Sequence, residues 1–409
     1  MYPSSSIQAP FRLALVLLTL LVLSACATAP FDYPREPSAY LPAKDATRIG
    51  AVALHWQERH GGQSGFLGLP DGVDALGARL RLLELAQESV DAQYFIVKKD
   101  RAGGLFAGAL LAAADRGVRV RLLVDDIFSP GVDEAFTLLA THPNVEVRLF
   151  NPLPRQQLKY LGFLTDFSRA NRRMHNKSFT VDGGISIVGG RNIGEEYFEI
   201  NQNVKFDDYE VLAIGEVVRE IQAGFDSFWN SDLSVPMEAF GVKVDPADLD
   251  AWREWLREQA DAGRSGLYAT ALDSRLLQQI DAGELQPIVA LADLYTDTPE
   301  KIGADVGDQE TAVLSTEVGR RFRAATKEIV IVTPYFIPQE NGAAIIEELL
   351  ASGVRVVVVT NSLASTNHVP VHSGYARYRT RLLRAGAEFF ELRVDAVVED
   401  ETAWGHSPE

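Results

Sequence analysis

Apolar residues alternate between a helical spacing and a strand spacing from about residue 76 onward. Leucines and alanines recur every three or four positions over 76–86 and 104–116, which predicts two helices with one buried face each. Apolar runs at 89–97, 118–124 and 145–150 predict strands. Strands that alternate with helices are typical of an α/β layer architecture. We therefore predict a mostly parallel β-sheet flanked by helices.

The same order of elements occurs a second time along the chain. Gly117-Val118-Arg119-Val120 opens a buried strand after a helix, and Gly353-Val354-Arg355-Val356 does the same 236 residues later. A Tyr-Phe pair follows the preceding strand in each half, at 94–95 and at 335–336. Unrelated βαβ units can look alike, but the shared landmarks favour duplication of one α/β unit.

These patterns divide the chain into five segments. An apolar leader is predicted at 1–25, and a proline-rich stretch predicts a tether at 26–60. We place a first α/β domain at 61–234, an acidic helical connector at 235–307, and an incomplete second α/β domain at 308–409.

The stretch with the most specific chemistry lies in the first domain. It is Met174-His175-Asn176-Lys177-Ser178-Phe179-Thr180-Val181-Asp182, followed by Gly189-Gly190-Arg191-Asn192. Its composition predicts a strand at 178–181, a turn at 182–184 and a returning strand at 185–188. Residues two apart on a strand share a face and lie about 6.7 Å apart, so His175 and Lys177 are expected to reach one tetrahedral anion. The glycine pair lets Asn192 approach the same place.

These side chains suit chemistry at phosphorus. A neutral imidazole can attack a phosphorus atom, and a lysine can neutralise the charge that develops on the phosphoryl oxygens. An amide can donate to a non-bridging oxygen. The Asp182 carboxylate can order neighbouring donors, although its position on the turn fits a structural role equally well. His-x-Lys-x4-Asp alone is a loose pattern, but the glycine-asparagine continuation and the repeat make it specific.

The motif resembles the HKD signature of the phospholipase D superfamily. The resemblance continues through 191–198 and 206–211, which resemble the segments after this motif in bacterial cardiolipin synthases, those of the C type in particular. It implies a phospholipase D-like fold with two duplicated sheet units. It also implies a phosphatidyltransferase, or a phospholipase D, that acts on phospholipid phosphodiesters through a phosphohistidine intermediate.

The resemblance also implies roles for individual residues. His175 is the expected nucleophile, while Lys177 and Asn192 bind phosphate oxygens. Asp182 orients the site, and Glu196 is a candidate partner for a histidine. The implied substrate is a phospholipid such as phosphatidylglycerol, and neither a cofactor nor a metal ion is implied.

Family members carry two copies of the motif, which face each other across one site. The repeat spacing of 236 places a second copy at about position 411, just past Glu409. The histidine that acts as general acid is therefore expected outside these residues, which puts the activity of this stretch alone in doubt. Two alternatives stay open: a homodimeric nuclease with one motif per subunit, and an inactive phospholipid-binding envelope lipoprotein.

The charge of the chain restricts its partners. A net charge of −17 over 409 residues argues against a broad basic surface for nucleic acid. A local basic cluster remains beside the motif and includes Arg169, Arg172 and Arg173. We expect this cluster either to draw an anionic headgroup toward His175 or to form a solvated loop.

The amino terminus predicts export and lipid attachment. Arg12 precedes an apolar run at 13–23, which is short for a membrane-spanning helix and has the length of a signal-peptide core. Leu23-Ser24-Ala25-Cys26 resembles a bacterial lipobox, in which the cysteine is lipidated. Ala27 then implies the outer membrane, facing the periplasm. The alternative is a secretory signal with an incidental cysteine.

Overall fold

A computed structural model describes residues 29–127, 131–153, 155, 172–201, 206, 208–261, 266–282, 286–303, 313–366 and 369–393. The chain divides into unit 1, Met1–Val306, and unit 2, Gly307–Glu409. Unit 1 contains the His-x-Lys motif, and unit 2 contains the second copy of the βαβ pattern.

Unit 1 alternates strands and helices, as the apolar spacing predicts. Its strands are β1 (Ser64–Leu69), β2 (Ser89–Tyr94), β3 (Arg119–Asp125), β4 (Val145–Phe150), β5 (Ser178–Val181), β6 (Ile185–Gly189), β7 (Glu210–Ile214), β8 (Ser234–Pro236) and β9 (Ile288–Ala290). Its helices are α1 (Arg48–His60), α2 (Gly72–Leu85), α3 (Arg101–Asp115), α4 (Asp133–Ala140), α5 (Glu216–Trp229), α6 (Asp248–Asp261), α7 (Leu267–Leu272) and α8 (Arg275–Asp281). The side chains of Asp71 and Asp100 cap α2 and α3 by accepting backbone N–H groups of the first turn.

Within the described residues, the strands of unit 1 form one sheet in the order β8-β4-β3-β2-β5-β6-β7-β1-β9. β2, β3 and β4 run parallel, joined by α3 and α4, and the pairings on either side of them are antiparallel. The α/β architecture is thus confirmed as a mixed sheet whose parallel part is β2 to β4. The parallel strands need helical crossovers, whereas β5 and β6 are joined by a short hairpin.

The strand pair that follows His175 is confirmed. β5 and β6 pair antiparallel, with Phe179 opposite Ile187, across the predicted turn. Gly183 on this turn has φ +62°, and a Cβ there would lie 2.3 Å from the Leu41 carbonyl oxygen. Both the backbone conformation and the lack of space therefore exclude a side chain at this position. His175 and Lys177 lie in the extended segment before β5 rather than on the strand itself.

The two faces of the sheet are covered by different helices. Leu122 and Phe179 point into a core that they share with α2, α3 and α4. Leu123, one residue along β3, instead joins Met174 and the aromatic residues of α5, because successive strand side chains point to opposite faces. The residue before His175 is thus anchored in the smaller core beneath α5.

The predicted connector at 235–307 belongs to unit 1 as far as Val306. β8 pairs with β4 and β9 pairs with β1, so this segment closes both edges of the sheet. Its helices α6 and α7 pack closely on α3 and α2. A Cβ on Gly77 would lie 2.0 Å from Ala271 O, and one on Gly108 would lie 3.3 Å from Leu256. Leu249, Ala271 and Leu276 are buried in the main core, which is why these helices belong to the domain.

The predicted tether at 26–60 is also corrected in its described part. Residues 48–60 form α1, and the preceding segment lies across the sheet face and the end of α5. Trp229 Nε1 donates to Ser38 Oγ at 2.9 Å, and the Tyr40 N–H donates to Asp226 Oδ2 at 2.8 Å. Prolines exclude a helix here but permit an extended chain that hydrogen-bonds to neighbouring groups.

Unit 2 repeats the parallel part of unit 1. Its described elements are α9 (Val313–Arg323), β10 (Glu328–Val332), α10 (Gln339–Ala351), β11 (Arg355–Asn361), α11 (Val369–Ala385) and β12 (Glu388–Leu392). β10, β11 and β12 are parallel neighbours in that order. Gly117 and Gly353 follow matching helices with φ +95° and +88°, so the same left-handed turn precedes the middle one of the three parallel strands in each unit.

Candidate active site

His175 and Lys177 come together just before β5. Lys177 Nζ lies 3.3 Å from His175 Nδ1 and donates to the His175 carbonyl oxygen at 2.8 Å. Phe95, which follows β2, packs on the imidazole with ring centroids 4.7 Å apart. Lys177 Nζ lies 5.5 Å from the centre of the same ring. His175 is exposed and Lys177 is buried, so an imidazole and a cation meet at one accessible place.

The His175 ring is held in its neutral form. Partial desolvation of the ring, together with repulsion from the Lys177 ammonium, lowers the pKa of His175 to about 4. Because an ammonium group can only donate, its approach to Nδ1 requires that nitrogen to be unprotonated. Above this pKa the neutral ring has a lone pair, which a nucleophile at phosphorus needs.

Lys177 is a cation whose charge depends on its carboxylate neighbours. Burial lowers the pKa of Lys177 to about 8, while Asp208, Glu210 and Asp125 act in the opposite direction. Lys177 is therefore mostly protonated at pH 7. A partly desolvated ammonium group beside a neutral imidazole is suited to stabilise the charge of a phosphoryl transition state.

Asn192 contacts the chain next to Phe95, and two glycines before it allow a close chain contact. A Cβ on Gly189 would lie 2.5 Å from Tyr209 O, and one on Gly190 would lie 2.4 Å from Asp208 Oδ1. The Asn192 Oδ1 atom accepts the Ile96 N–H at 3.0 Å. With the oxygen occupied, the amide nitrogen is the atom of this side chain that can donate to a ligand.

A buried charged cluster supports the strand ends around these residues. Arg79 of α2 donates to both Glu210 carboxylate oxygens at 2.8 and 2.6 Å, and its Nε donates to the Tyr94 hydroxyl at 2.9 Å. Arg191 donates to the Leu69 carbonyl oxygen at 2.7 Å. Sequence analysis missed Arg79, because one arginine among leucines on a helix gives no sign that it is buried.

The structure favours the turn role for Asp182. Four strand residues separate it from Lys177, which corresponds to about 17 Å along an extended chain. Asp182 Oδ1 accepts the N–H groups of Glu88 and Ser89 at 2.8 and 3.0 Å, and Oδ2 accepts that of Gln87 at 3.1 Å. The predicted role in orienting the site is therefore replaced by anchoring of the β5–β6 turn to the start of β2.

Asp182→Ala is expected to lower the free energy of unfolding by about 2 to 4 kcal/mol, because it leaves buried N–H groups without an acceptor. Asp182→Asn retains an acceptor oxygen, and asparagine tolerates the positive φ of 47° found here. It should lose much less stability and keep its activity. Denaturant unfolding and turnover of both variants test this prediction. A folded Asp182→Asn protein without activity would return Asp182 to a catalytic role.

Other predicted residues acquire structural partners. Glu196 is buried and forms an ion pair with Lys98, so its described partner is a lysine rather than a histidine. Arg172 donates to the carbonyl oxygens of Lys301 and Ile302, both at 3.1 Å. Arg173 donates to Asp125 at 2.8 Å. The expectation that the basic cluster draws an anionic headgroup toward His175 is thus corrected for these two arginines, whose guanidinium groups bond to other parts of the fold. Arg169 lies outside the described residues.

Comparison with known proteins agrees with this geometry. The family described as "Cardiolipin synthase, PLD-like domain" matches at residues 80–229 and again at 318–403. The chain belongs to this family. The two matched stretches lie one in each unit, as expected for a duplicated fold. The phospholipase D resemblance of the His175 motif is thereby confirmed.

The chain is also similar to individual proteins. The chain is 39% identical to cardiolipin synthase C of Escherichia coli K12 over 352 residues, or 85% of this chain and 73% of that protein. It is 26% identical to a cardiolipin synthase of Oceanobacillus iheyensis, over 78% of this chain and 55% of that protein. The crystal structure of phosphatidylserine synthase from Haemophilus influenzae Rd KW20 matches 81% of this chain and 72% of that chain, with a TM-score of 0.48 and 13% identity.

The membrane-directed part of the prediction falls mainly outside the described chain. Cys26 and the apolar run before it are among the residues that are not described. Among the helices that are described, none is long and apolar enough to cross a bilayer.

Proposed function

We propose that this cardiolipin synthase family member transfers a phosphatidyl group from a phospholipid such as phosphatidylglycerol, with His175 as the nucleophile. The observation that carries the proposal is the His175 imidazole with its Nδ1 3.3 Å from the buried Lys177 ammonium. The similarity to cardiolipin synthase C of Escherichia coli supports a phospholipid donor. The family signature around His175 links that function to this site.

The reaction proceeds through two displacements at phosphorus. A His175 ring nitrogen uses its lone pair to form an N–P bond, and the P–O bond to the headgroup alcohol breaks. Lys177 and the Asn192 amide stabilise the phosphoryl oxygens meanwhile. An acceptor hydroxyl then attacks phosphorus and releases His175. The leaving oxygen takes its proton from a second histidine, which then removes the proton of the acceptor hydroxyl. From the repeat spacing we expect this histidine near position 411, or a second subunit supplies it.

The products of one incubation test this function. Purified protein with phosphatidylglycerol in detergent micelles should form cardiolipin and glycerol if a lipid hydroxyl is the acceptor. Phosphatidic acid and glycerol should form if water is the acceptor. Cleavage of single- or double-stranded DNA without lipid turnover would support the nuclease alternative. No turnover of either substrate, with lipid binding intact, would support the inactive lipoprotein.

We also propose that Cys26 is lipidated and holds the enzyme at the outer membrane, facing the periplasm. Several acyl chains on one cysteine attach a protein stably, at about 0.8 kcal/mol per buried methylene. Cys26→Ser should therefore move the protein from the membrane to the soluble fraction on cell fractionation. Ser24→Ala, which keeps the cysteine, is the matched control and should remain in the membrane. An unchanged distribution of Cys26→Ser would contradict the proposal.

A further inference from the structure

The carboxylate of Asp125 connects the end of β3 to the backbone that carries His175. Asp125 Oδ2 accepts the Met174 N–H at 2.9 Å, and Oδ1 accepts from Arg173 Nε at 2.8 Å. Oδ1 also accepts the Ile127 N–H at 3.0 Å. The Asp125 side chain is fully buried, so water does not compete for these bonds.

Neighbouring strand ends hold the same short segment. Arg173 Nη1 donates to the Asn151 carbonyl oxygen, just after β4, at 3.0 Å. Gln93 Nε2 of β2 lies 2.9 Å from Met174 Sδ, and the Met174 side chain is buried beneath α5. The backbone before His175 is therefore held from β2, β3 and β4 together, and Asp125 alone bonds to both Arg173 and Met174 among these contacts.

We propose that Asp125 is a positioning residue for phosphatidyl transfer, which fixes the backbone of His175 without touching the substrate. An electrostatic part accompanies this role, because the Asp125 carboxylate favours the charged form of Lys177. The rate measurements below rest on the proposed function. The titration of Lys177 does not, because it needs no turnover.

The electrostatic part concerns the pKa of Lys177, which depends on the charged groups around that side chain. These are His175 on its own segment, Asp208 and Glu210 at the start of β7, and Asp125 at the end of β3. Burial raises the pKa of Asp125 to about 6, with Arg173 opposing that rise, so Asp125 is ionised at pH 8. Replacing this carboxylate by an amide should therefore lower the pKa of Lys177.

Asp126 provides a matched control one position along the chain. It is as buried as Asp125, and it accepts the Leu153 N–H at 2.6 Å and pairs with Arg155. Neither bond reaches the His175 segment. Asp126→Asn therefore makes the same chemical change at the same depth while leaving the contacts to Arg173 and Met174 in place.

Kinetics with phosphatidylglycerol micelles separate positioning from general stability. Asp125→Asn should lower kcat by about 10²-fold with little change in KM, because small displacements of a reacting group have effects of this size. The alkaline limb of its pH profile should also move to lower pH. Asp126→Asn should keep the wild-type alkaline limb and most of kcat. Equal effects of the two variants on kcat and on the pH profile would overturn the proposal.

The charge of Lys177 can be measured without substrate. Competitive labelling of amines with acetic anhydride over a range of pH, followed by mass spectrometry of the Lys177 peptide, reports the titration of this side chain. The midpoint should shift to lower pH in Asp125→Asn and stay in place in Asp126→Asn. An unshifted midpoint in folded Asp125→Asn would refute the electrostatic part, even if the protein turned over no lipid at all.

Arg173→Lys tests the geometric part if Asp125→Asn does not fold. Lysine keeps the positive charge, but its single ammonium group cannot reproduce the guanidinium bonds to both Asp125 and Asn151 O. We expect a lower kcat, an unchanged KM and an alkaline limb at the wild-type position. A folded Arg173→Lys protein with wild-type kcat would overturn the positioning role.

Discussion

His175→Ala is expected to lower phosphatidyl transfer by about 10⁴-fold or more, because it removes the atom that forms the bond to phosphorus. The same change should abolish the covalent intermediate. Phosphohistidine is stable in base, so an alkaline quench during turnover, followed by mass spectrometry of the peptide that carries His175, measures the intermediate directly. The wild-type protein should show a phosphatidyl adduct on this peptide, and the variant should show none.

A matched control separates this chemical effect from the loss of any histidine. His55 lies on α1 and is exposed, with a side-chain accessibility of 64%. His55→Ala should therefore keep the wild-type rate and the adduct. Equal turnover by His175→Ala and the wild-type protein would remove His175 from the mechanism. An adduct on a different histidine would show that His175 instead serves as the proton donor.

Lys177→Met is expected to reduce kcat by about 10² to 10³-fold, the usual effect of removing one donor from a site where negative charge develops. Methionine has a similar length and needs no partner when buried, so the fold should persist. Lys44→Met is the matched control, because Lys44 pairs with Glu88 at the opposite end of β2. Steady-state rates and thermal unfolding of the two variants check this prediction. Loss of folding in Lys177→Met alone would favour a structural role.

The pKa of Lys177 also predicts how the rate depends on pH. Its lowered pKa of about 8 means that the ammonium form is present below this pH and is lost as the pH rises through it. The wild-type rate should therefore fall on the alkaline side of pH 8. The arginine in Lys177→Arg stays charged above pH 8. The rate of this variant, although lower than that of the wild-type protein, should therefore persist to higher pH. An identical alkaline limb in both proteins would show that another group causes it.

Local patterns in the sequence determined the elements and the chemical identity of the site. The strands at 178–181 and 185–188, the α/β alternation and the repeat around Gly117 and Gly353 all follow from spacing along the chain. This spacing is visible because side-chain direction repeats every 2 or 3.6 residues, independently of distant neighbours. The His-x-Lys spacing likewise sufficed to place His175 beside Lys177.

Only the tertiary structure decided which charges serve the reaction and which serve the fold. Arg172 and Arg173 lie next to His175 in sequence, yet carbonyl oxygens and Asp125 from remote elements occupy them. Asp182 belongs to the motif, but its carboxylate bonds to N–H groups 93 to 95 residues earlier in the chain. The partner of a buried charge depends on which strand ends meet at one edge of the sheet, and spacing along the chain does not contain that information.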